Sequence, residues 1–394
     1  MKLSTDRILT THVGSLPRPD DLVEMMIAYE NRAAVDPAAL EKRVADAVRE
    51  VVARQVALGM DVVSDGEAGK IAYTFYVKHR LSNIADGVPI DADVPKDVAN
   101  LDMMEHPDFA ERARQARTTW SLLYSRPCCI GPVAYQNRKP LEQDIAHLKA
   151  AVDAAKPVEA FMNAASPGVL TKFVPDAWYR NEDAYIEALA EAMKEEYEAI
   201  HKAGFLLQID CPDLGSARHN QYQKLSDAEF LRIADRNIEA VNHATASIPP
   251  EAMRIHICWG NYEGPHTHDI ALAKVFPTLM KARPAGVLFE GANPRHDHEW
   301  EDIKDLPIPD HKVLIPGVVD STSNFVEHPK LIAQRICRYA DIVGRERVIA
   351  GTDCGFGTFV RREPIVATSV VWSKFRAMAE GAAIATDRLW KRAA

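Results

Sequence analysis

The sequence has no run of the roughly 20 apolar residues that a helix needs to span a bilayer, so no membrane segment is expected. It also has no excess of positive charge. Its 47 Lys and Arg stand against 56 Asp and Glu, a formal charge of −9, which argues against a nucleic-acid-binding face. No C-x-x-C pair occurs, which removes zinc ribbons and knuckles. The six cysteines are too few and too scattered for a disulfide framework, and the adjacent Cys128 and Cys129 cannot readily bridge each other. The polar start, Met1 to Arg7, shows no signal peptide. These absences lead to the expectation of a reduced, cytoplasmic protein. With 47% hydrophobic residues and no low-complexity tract, 394 residues fit two average domains or one large α/β barrel with insertions.

What is present alternates. The run Ile8 to Ser15 reads as a strand that ends in a Gly/Ser/Pro loop, and Asp61 to Glu67 as a short strand turning polar. Between them, Asp36-Pro37 opens a helical pattern that runs from Leu40 to Leu58 and stops at Gly59. Residues 70–139 break the rhythm with aromatics, an acidic loop and a strand-like Cys128 to Tyr135, which reads as an insertion carrying a hairpin. Regular strands resume at Ala160–Ala165, Leu206–Asp210, Arg254–Cys258, Gly286–Glu290, Val313–Val319 and Arg347–Thr352. Helices are punctuated by Gly204, by the Ser226/Glu229 capping box, by Pro329 and Gly344, and a last one is expected from about Pro364 to Ala383. Eight strand-then-helix units predict a single-domain TIM barrel, (β/α)8, over residues 1–394, with the hairpin insertion after the second strand. A doubly wound open sheet permits the same alternation. The barrel is favoured because nearly every strand turns polar or Gly-rich at its C-terminal end, where barrels keep their sites.

On the strand Arg254 to Cys258, His256 and Cys258 share a face while Ile255 and Ile257 pack the other way. Alone, this H-x-C pair is better explained by core packing than by a metal site. At other strand ends lie His12, Ser15, Glu67, Asp210, Glu290, Asp320, Asp353 and Cys354, which a barrel would bring to one mouth. Among them Cys258, Cys354, His256 and Glu290 make a tetrahedral donor set suited to zinc.

The pieces Thr10-Thr11-His12-Val13-Gly14-Ser15, Asp65-Gly66-Glu67, Gln208-Ile209-Asp210, His256-Ile257-Cys258, Glu290 and Asp353-Cys354-Gly355 resemble, in order and spacing, the catalytic barrel of cobalamin-independent methionine synthase and its shorter relatives. Those relatives include archaeal-type methionine synthases and epoxyalkane:coenzyme M transferases. The resemblance implies a zinc ion on His256, Cys258, Glu290 and Cys354. It also implies an amino-acid substrate held by Ser15, Glu67 and Asp210. The implied activity is zinc-dependent transfer of an alkyl group to a thiol held as thiolate, first of all methyl transfer to a small thiol such as homocysteine. Epoxide opening by coenzyme M, or a non-catalytic barrel stapled by zinc, are the alternatives. The implied partners are a small thiol and an alkyl donor, which methyl-folate, an epoxide or a corrinoid protein would supply; a homo-oligomer is compatible with the sequence.

Three stretches depart from the synthase pattern. Thr322 stands where the synthases carry a histidine thought to protonate the leaving folate nitrogen, which makes His12 and Asp320 the candidate proton donors. Cys211-Pro212-Asp213 replaces an acidic-Pro-Ala pattern and is followed by Arg218, a candidate for binding an acidic tail. Trp259 to Tyr262, after the His/Cys pair, resembles the short relatives, with Trp259 a candidate substrate contact. Cys128, Cys129 and Cys337 read as inert core thiols, and Cys211 as a core or pocket residue. His266, His268, His296 and His298 read as solvated loop histidines that pair with neighbouring carboxylates.

Overall fold

The computed structural model describes residues 1–86, 101–117 and 126–391. Eight strands form one all-parallel sheet: β1 (Leu9–Thr10), β2 (Val62–Val63), β5 (Glu159–Ala165), β6 (Leu206–Asp210), β7 (Met253–His256), β8 (Gly286–Phe289), β9 (Val313–Val319) and β10 (Ile349–Thr352). The neighbour order is β1-β10-β9-β8-β7-β6-β5-β2. The two outer strands meet at a seam. Asp61 N donates to Thr10 O (3.2 Å) and Thr11 Oγ1 to Val62 O (3.0 Å), so the sheet curls into a nearly closed barrel. Asp61 latches the seam by accepting from Thr10 N (2.9 Å) and from both Arg7 guanidinium nitrogens (2.8 and 2.6 Å). This is the expected TIM-barrel architecture.

The separate two-stranded antiparallel sheet pairs β3 (Ile84–Asp86) with β4 (Pro127–Cys129). The hairpin expected in residues 70–139 is therefore built from an earlier partner and a shorter second strand than Cys128 to Tyr135. Part of that segment, 87–100 and 118–125, lies outside the described residues.

Helices cover the barrel. They are α1 (Asp20–Glu30), α2 (Pro37–Ala57), α3 (Leu101–Glu105), α4 (Pro107–Arg117), α5 (Lys139–Ala155), α6 (Pro167–Phe173), α7 (Glu182–Lys202), α8 (Asp227–Ala244), α9 (Leu272–Met280), α10 (Trp300–Ile303), α11 (Pro329–Val343) and α12 (Thr368–Lys391). Their starts follow capping chemistry. Asp36 accepts from Ala38 N with Pro37 in the first turn, and the Ser226/Glu229 capping box is complete. Gly344, at φ +85°, closes α11 in a conformation that a side chain would resist. The last helix opens four residues later than its apolar pattern suggests and runs on to Lys391. None of the described helices is long and apolar enough to cross a membrane.

Strand alternation divides the interior into two layers. Outward-facing Ile255 and Ile257 join the large apolar cluster between sheet and helices. Inward-facing Leu9, Leu288, Val313, Ile315 and Ile349 fill the barrel near the strands' N-terminal ends. Above that plug sits a polar floor. Arg254, fully buried, donates to Gln208 Oε1 (2.6 Å), Thr11 Oγ1 (2.9 Å) and His12 O (2.5 Å), with its guanidinium 3.8 Å from the Phe161 ring centroid. Burial lowers its pKa to about 9. The site stands on this floor.

Candidate metal centre

Three side chains from two strand ends converge above the floor. Ligand atoms of His256, Cys258 and Cys354 all lie within 4.8 Å of one another, and all three residues are buried. Cys354 Sγ is 3.6 Å from His256 Nε2 and 3.9 Å from Glu290 Oε1. A tetrahedral ion with bonds of about 2.0–2.3 Å sets its ligand atoms about 3.3–3.8 Å apart, so the spacing fits one small ion. The closeness of the two sulfurs pulls the Cys258 thiol well below the ordinary thiol range and pushes that of Cys354 well above it.

Glu290 stands slightly apart. Its Oε1 accepts from Trp259 N (2.8 Å) and its Oε2 from Asn293 Nδ2 (2.7 Å). Burial raises its pKa to about 8, with His296 opposing and the Cys258 and Asp353 charges adding to the rise. Asp353 fixes the turn that presents it, accepting from the backbone N–H groups of Gly291 (2.9 Å), Ala292 (2.8 Å) and Asn293 (2.8 Å). Three close ligands and a fourth with bonds of its own make an arrangement that can open one coordination position.

Beside the ligands lie two buried carboxylates. Asp210 accepts from Asn163 Nδ2 (2.9 Å) and Gln208 Nε2 (2.8 Å), yet burial still raises its pKa. Glu67 carries an unbonded, buried Oε2, and burial with the Asp210 charge raises its pKa to about 7 against the opposing Lys70 charge. Lys70 itself donates to Asn163 O (2.6 Å). Glu67 follows Gly66 with φ +55°, a left-handed backbone held by Asp65 Oδ1 accepting from Glu67 N (2.9 Å). Strain of this kind in a non-glycine residue marks a position that the surroundings enforce. Ser15 sits against the loop after β10, where its O accepts from Phe356 N (2.8 Å).

Four sequence-derived candidates fall elsewhere. His12 is buried between the barrel and its helices, bonded to Gln55 Oε1 (2.7 Å) and packed on Phe161 and Phe375. Burial lowers its pKa to about 3, so the ring is neutral near pH 7 and its one N–H is spent on Gln55 Oε1. Asp320 spends both oxygens on its own turn, accepting from Thr322 N (2.9 Å) and Ser323 N (3.0 Å). Its pKa is lowered: burial opposes the charge, and the bonds from Ser323 and Thr322 outweigh it, so it lacks a proton. Arg218 pairs with Asp227 in the first turn of α8 (2.8 Å) instead of facing the centre. The Trp259 side chain is wholly buried, donating to Ile270 O (2.6 Å) and stacked on His296 (4.3 Å between centroids). Of the loop histidines, His268 and His298 are exposed, but His266 and His296 are buried around Asp269.

The sequence motifs assigned no role to Asn163, Gln208 and Arg254, which build the floor, nor to Tyr73. Tyr73 packs edge-on against Phe173 (5.6 Å) and Phe359 (5.9 Å). Its hydroxyl pKa is raised well above the ordinary phenol by burial and by the charges of Cys258, Asp210, Cys354 and Asp213. Inward-pointing polar residues mid-strand were the available signal for the floor.

Residues 8–87 match the family model described as the catalytic domain of cobalamin-independent synthase. The 2-hydroxypropyl-CoM lyase of Xanthobacter autotrophicus is 24% identical over 204 residues, 45% of this chain and 50% of that protein, so the match spans about half the length of that relative. A B12-independent methionine synthase from Shewanella, solved in complex with selenomethionine, superposes with a TM-score of 0.72 at 19% identity, covering 98% of this chain and 99% of that one. A putative vitamin-B12-independent methionine synthase from Listeria monocytogenes gives 0.63 at 17% identity, covering 96% and 98%. The resemblance carried by the motifs is borne out, and the two structural likenesses establish the shared barrel fold.

Proposed function

We propose that the chain is a zinc-dependent S-alkyltransferase that takes a small thiol as its acceptor, with His256, Cys258 and Cys354 as constant ligands and Glu290 as the ligand that yields. The convergence of those side chains at one barrel mouth carries the reading. Two sulfurs, an imidazole and a carboxylate suit zinc over oxygen-seeking ions. When bound, zinc supplies the positive charge that lets a thiol, ordinarily with a pKa of about 8.5, persist as the nucleophilic thiolate.

The chain's own residues supply position. Trp259 N–H and Asn293 Nδ2 hold the Glu290 carboxylate, so it has partners whether or not it is a ligand. Glu67 and Asp210 form a buried acidic pair in which Glu67 Oε2 has no donor, which suits the ammonium of an amino-acid thiol. That favours methyl transfer to homocysteine. A second reading, epoxide opening by a thiolate such as coenzyme M, draws on Thr322 in place of the synthase histidine and on the relative named for 2-hydroxypropyl-CoM.

Zinc X-ray absorption before and after adding homocysteine, coenzyme M or glutathione tests the proposal. One added sulfur and one lost oxygen in the first shell is the expected change. If none of the three thiols enters the shell, thiol activation is wrong. Turnover with methyl-folate against turnover with epoxides, each across the same thiols, then separates the two readings.

A further inference from the structure

Apart from the groups used above, a lysine lies near the Cys258 strand end with no carboxylate paired to it among the described residues. Lys172 lies on α6, and its Nζ donates to Ser216 Oγ (2.6 Å). Ser216 Oγ donates onward to Pro212 O (2.8 Å). An ammonium has three N–H donors, and the Phe173 ring lies 5.3 Å from Nζ. Among the described residues no carboxylate pairs with it. Asp213, whose charge reaches Lys172, is already taken by Ser166 Oγ (2.9 Å) and Asn237 Nδ2 (2.8 Å). A second positive charge lies on the same side, for Arg126 donates to Lys172 O (2.9 Å) and Phe173 O (3.1 Å).

The pair is fixed with respect to the ligands. Ser216 N donates to Cys258 O (3.1 Å), and Gly215 approaches so closely that a Cβ there would lie 2.6 Å from Cys258 O. Phe173, next to Lys172, packs on Tyr73, whose hydroxyl senses the charges of Cys258, Asp210 and Cys354. Lys172, Phe173 and Tyr73 thus form one contiguous group that is joined through Ser216 to the Cys258 backbone. The Cys258 charge reaches Lys172 as well, although burial lowers the amine's pKa to about 8. Lys172 is half-buried, and an anion arriving with the substrate would give its ammonium a charge-assisted partner.

We infer that Lys172, seated on Ser216, anchors an anionic tail of the acceptor thiol, a carboxylate or a sulfonate, and so selects which thiols the site accepts. This rests on the thiol-alkylation reading above. It gives Lys172 the task that the sequence had pointed to Arg218, which the structure ties to Asp227.

The test uses the full chain loaded with cobalt(II), whose thiolate absorption band reports thiol entry directly. Titrations with 2-mercaptoethanesulfonate and 3-mercaptopropionate are compared with neutral 2-mercaptoethanol. The wild-type protein should prefer the anionic thiols by about tenfold or more, the scale of a charge-assisted hydrogen bond. Lys172→Met should abolish that preference and leave 2-mercaptoethanol unchanged, while Lys172→Arg should keep part of it. Should Lys172→Met prove insoluble, Ser216→Ala, which unseats the ammonium, should reduce the preference instead. An unaltered preference in the variant that folds overturns the inference. A different failure, in which no thiol of either charge perturbs the cobalt spectrum, overturns the thiol-activation reading itself.

Discussion

Glu67 concentrates the tension of the site in one residue. Its backbone lies in the left-handed region, its carboxyl is buried, and one oxygen has no donor. Its folded pKa of about 7 stands above the ordinary value of 4.5, so the native state binds the proton more tightly than the unfolded chain. The stability that the proton provides is complete below about pH 4.5 and lost as pH rises through 7. Gln mimics the protonated form at every pH. Glu67→Gln should therefore match wild type near pH 4.5 and exceed it by about 2–3 kcal/mol at pH 8, while weakening binding of an amino-acid thiol. Urea midpoints at the two pH values check this, and an equal offset at both would show that the carboxyl's burial has been misjudged. Such a trade, stability against an unpaired charge, is common where a ligand supplies the missing partner. Residue roles of this kind were only partly legible. In Thr11-His12-Val13 the period of two sends Thr11 inward to Arg254 and His12 outward to Gln55, so His12 belongs to the wall. The motif drew attention to the right segment, and alternation would have chosen the other side chain.

The segment from the end of β7 to α9 owes its shape to Asp269. One oxygen of its carboxylate bonds His266 Nδ1 (2.8 Å) and His296 Nε2 (3.1 Å), and its other oxygen lies 2.8 Å from His219 Nδ1. The second nitrogen of His266 faces Tyr262 O (3.1 Å), and that of His296 faces Glu299 (2.8 Å). Both rings therefore face acceptors on both sides, an arrangement that suits the imidazolium form. Burial opposes their charge, but the Asp269 bond outweighs it in His266, and Asp269 with Glu299 pushes the His296 pKa up to about 10. Each cation is capped by an aromatic ring, Tyr262 on His266 and Trp259 on His296, both with centroids 4.3 Å apart. Trp259 follows Cys258 directly and donates to Glu290, so the network steadies two of the proposed metal ligands. Asp269→Asn should cost about 3–5 kcal/mol by stranding buried cations. It should also weaken metal affinity about 10- to 100-fold, as removal of an outer support does. Chelator competition and thermal melting measure the two effects; wild-type metal affinity in the variant would dismiss the coupling. The sequence hid this network because its members sit in three loops, and hydrophobic periodicity carries no information on which loops meet. Exposure holds for His268 and His298, which lie in the same polar stretches.

At the scale of the molecule, the barrel was legible because buried parallel strands read as short apolar runs with polar C-terminal ends, and β6 and β9 begin and end where those runs do. The short β1 and β2 were overextended. Past Thr10 and Val63 the backbone leaves the ladder to form the loops that hold Ser15 and Glu67, and those loops look apolar in sequence because they are buried. The same division of labour decides what metal removal should do. The fold rests on the continuous apolar layer between sheet and helices and on the Asp61 latch at the β1–β2 seam. Neither involves His256, Cys258, Glu290 or Cys354. Those ligands come from the ends of β7, β8 and β10, where the strands are already fixed by their neighbours. A bound ion at about 100 times its dissociation constant adds about 2.7 kcal/mol by mass action, against the roughly 10–16 kcal/mol that structural zinc contributes to a small metal-dependent fold. The apo protein should keep its far-ultraviolet circular dichroism and a cooperative melt, with the midpoint lowered by only a few degrees. Loss of the cooperative transition on chelation would instead make the ion a staple of the barrel, and Glu290→Gln would then lower stability together with metal content.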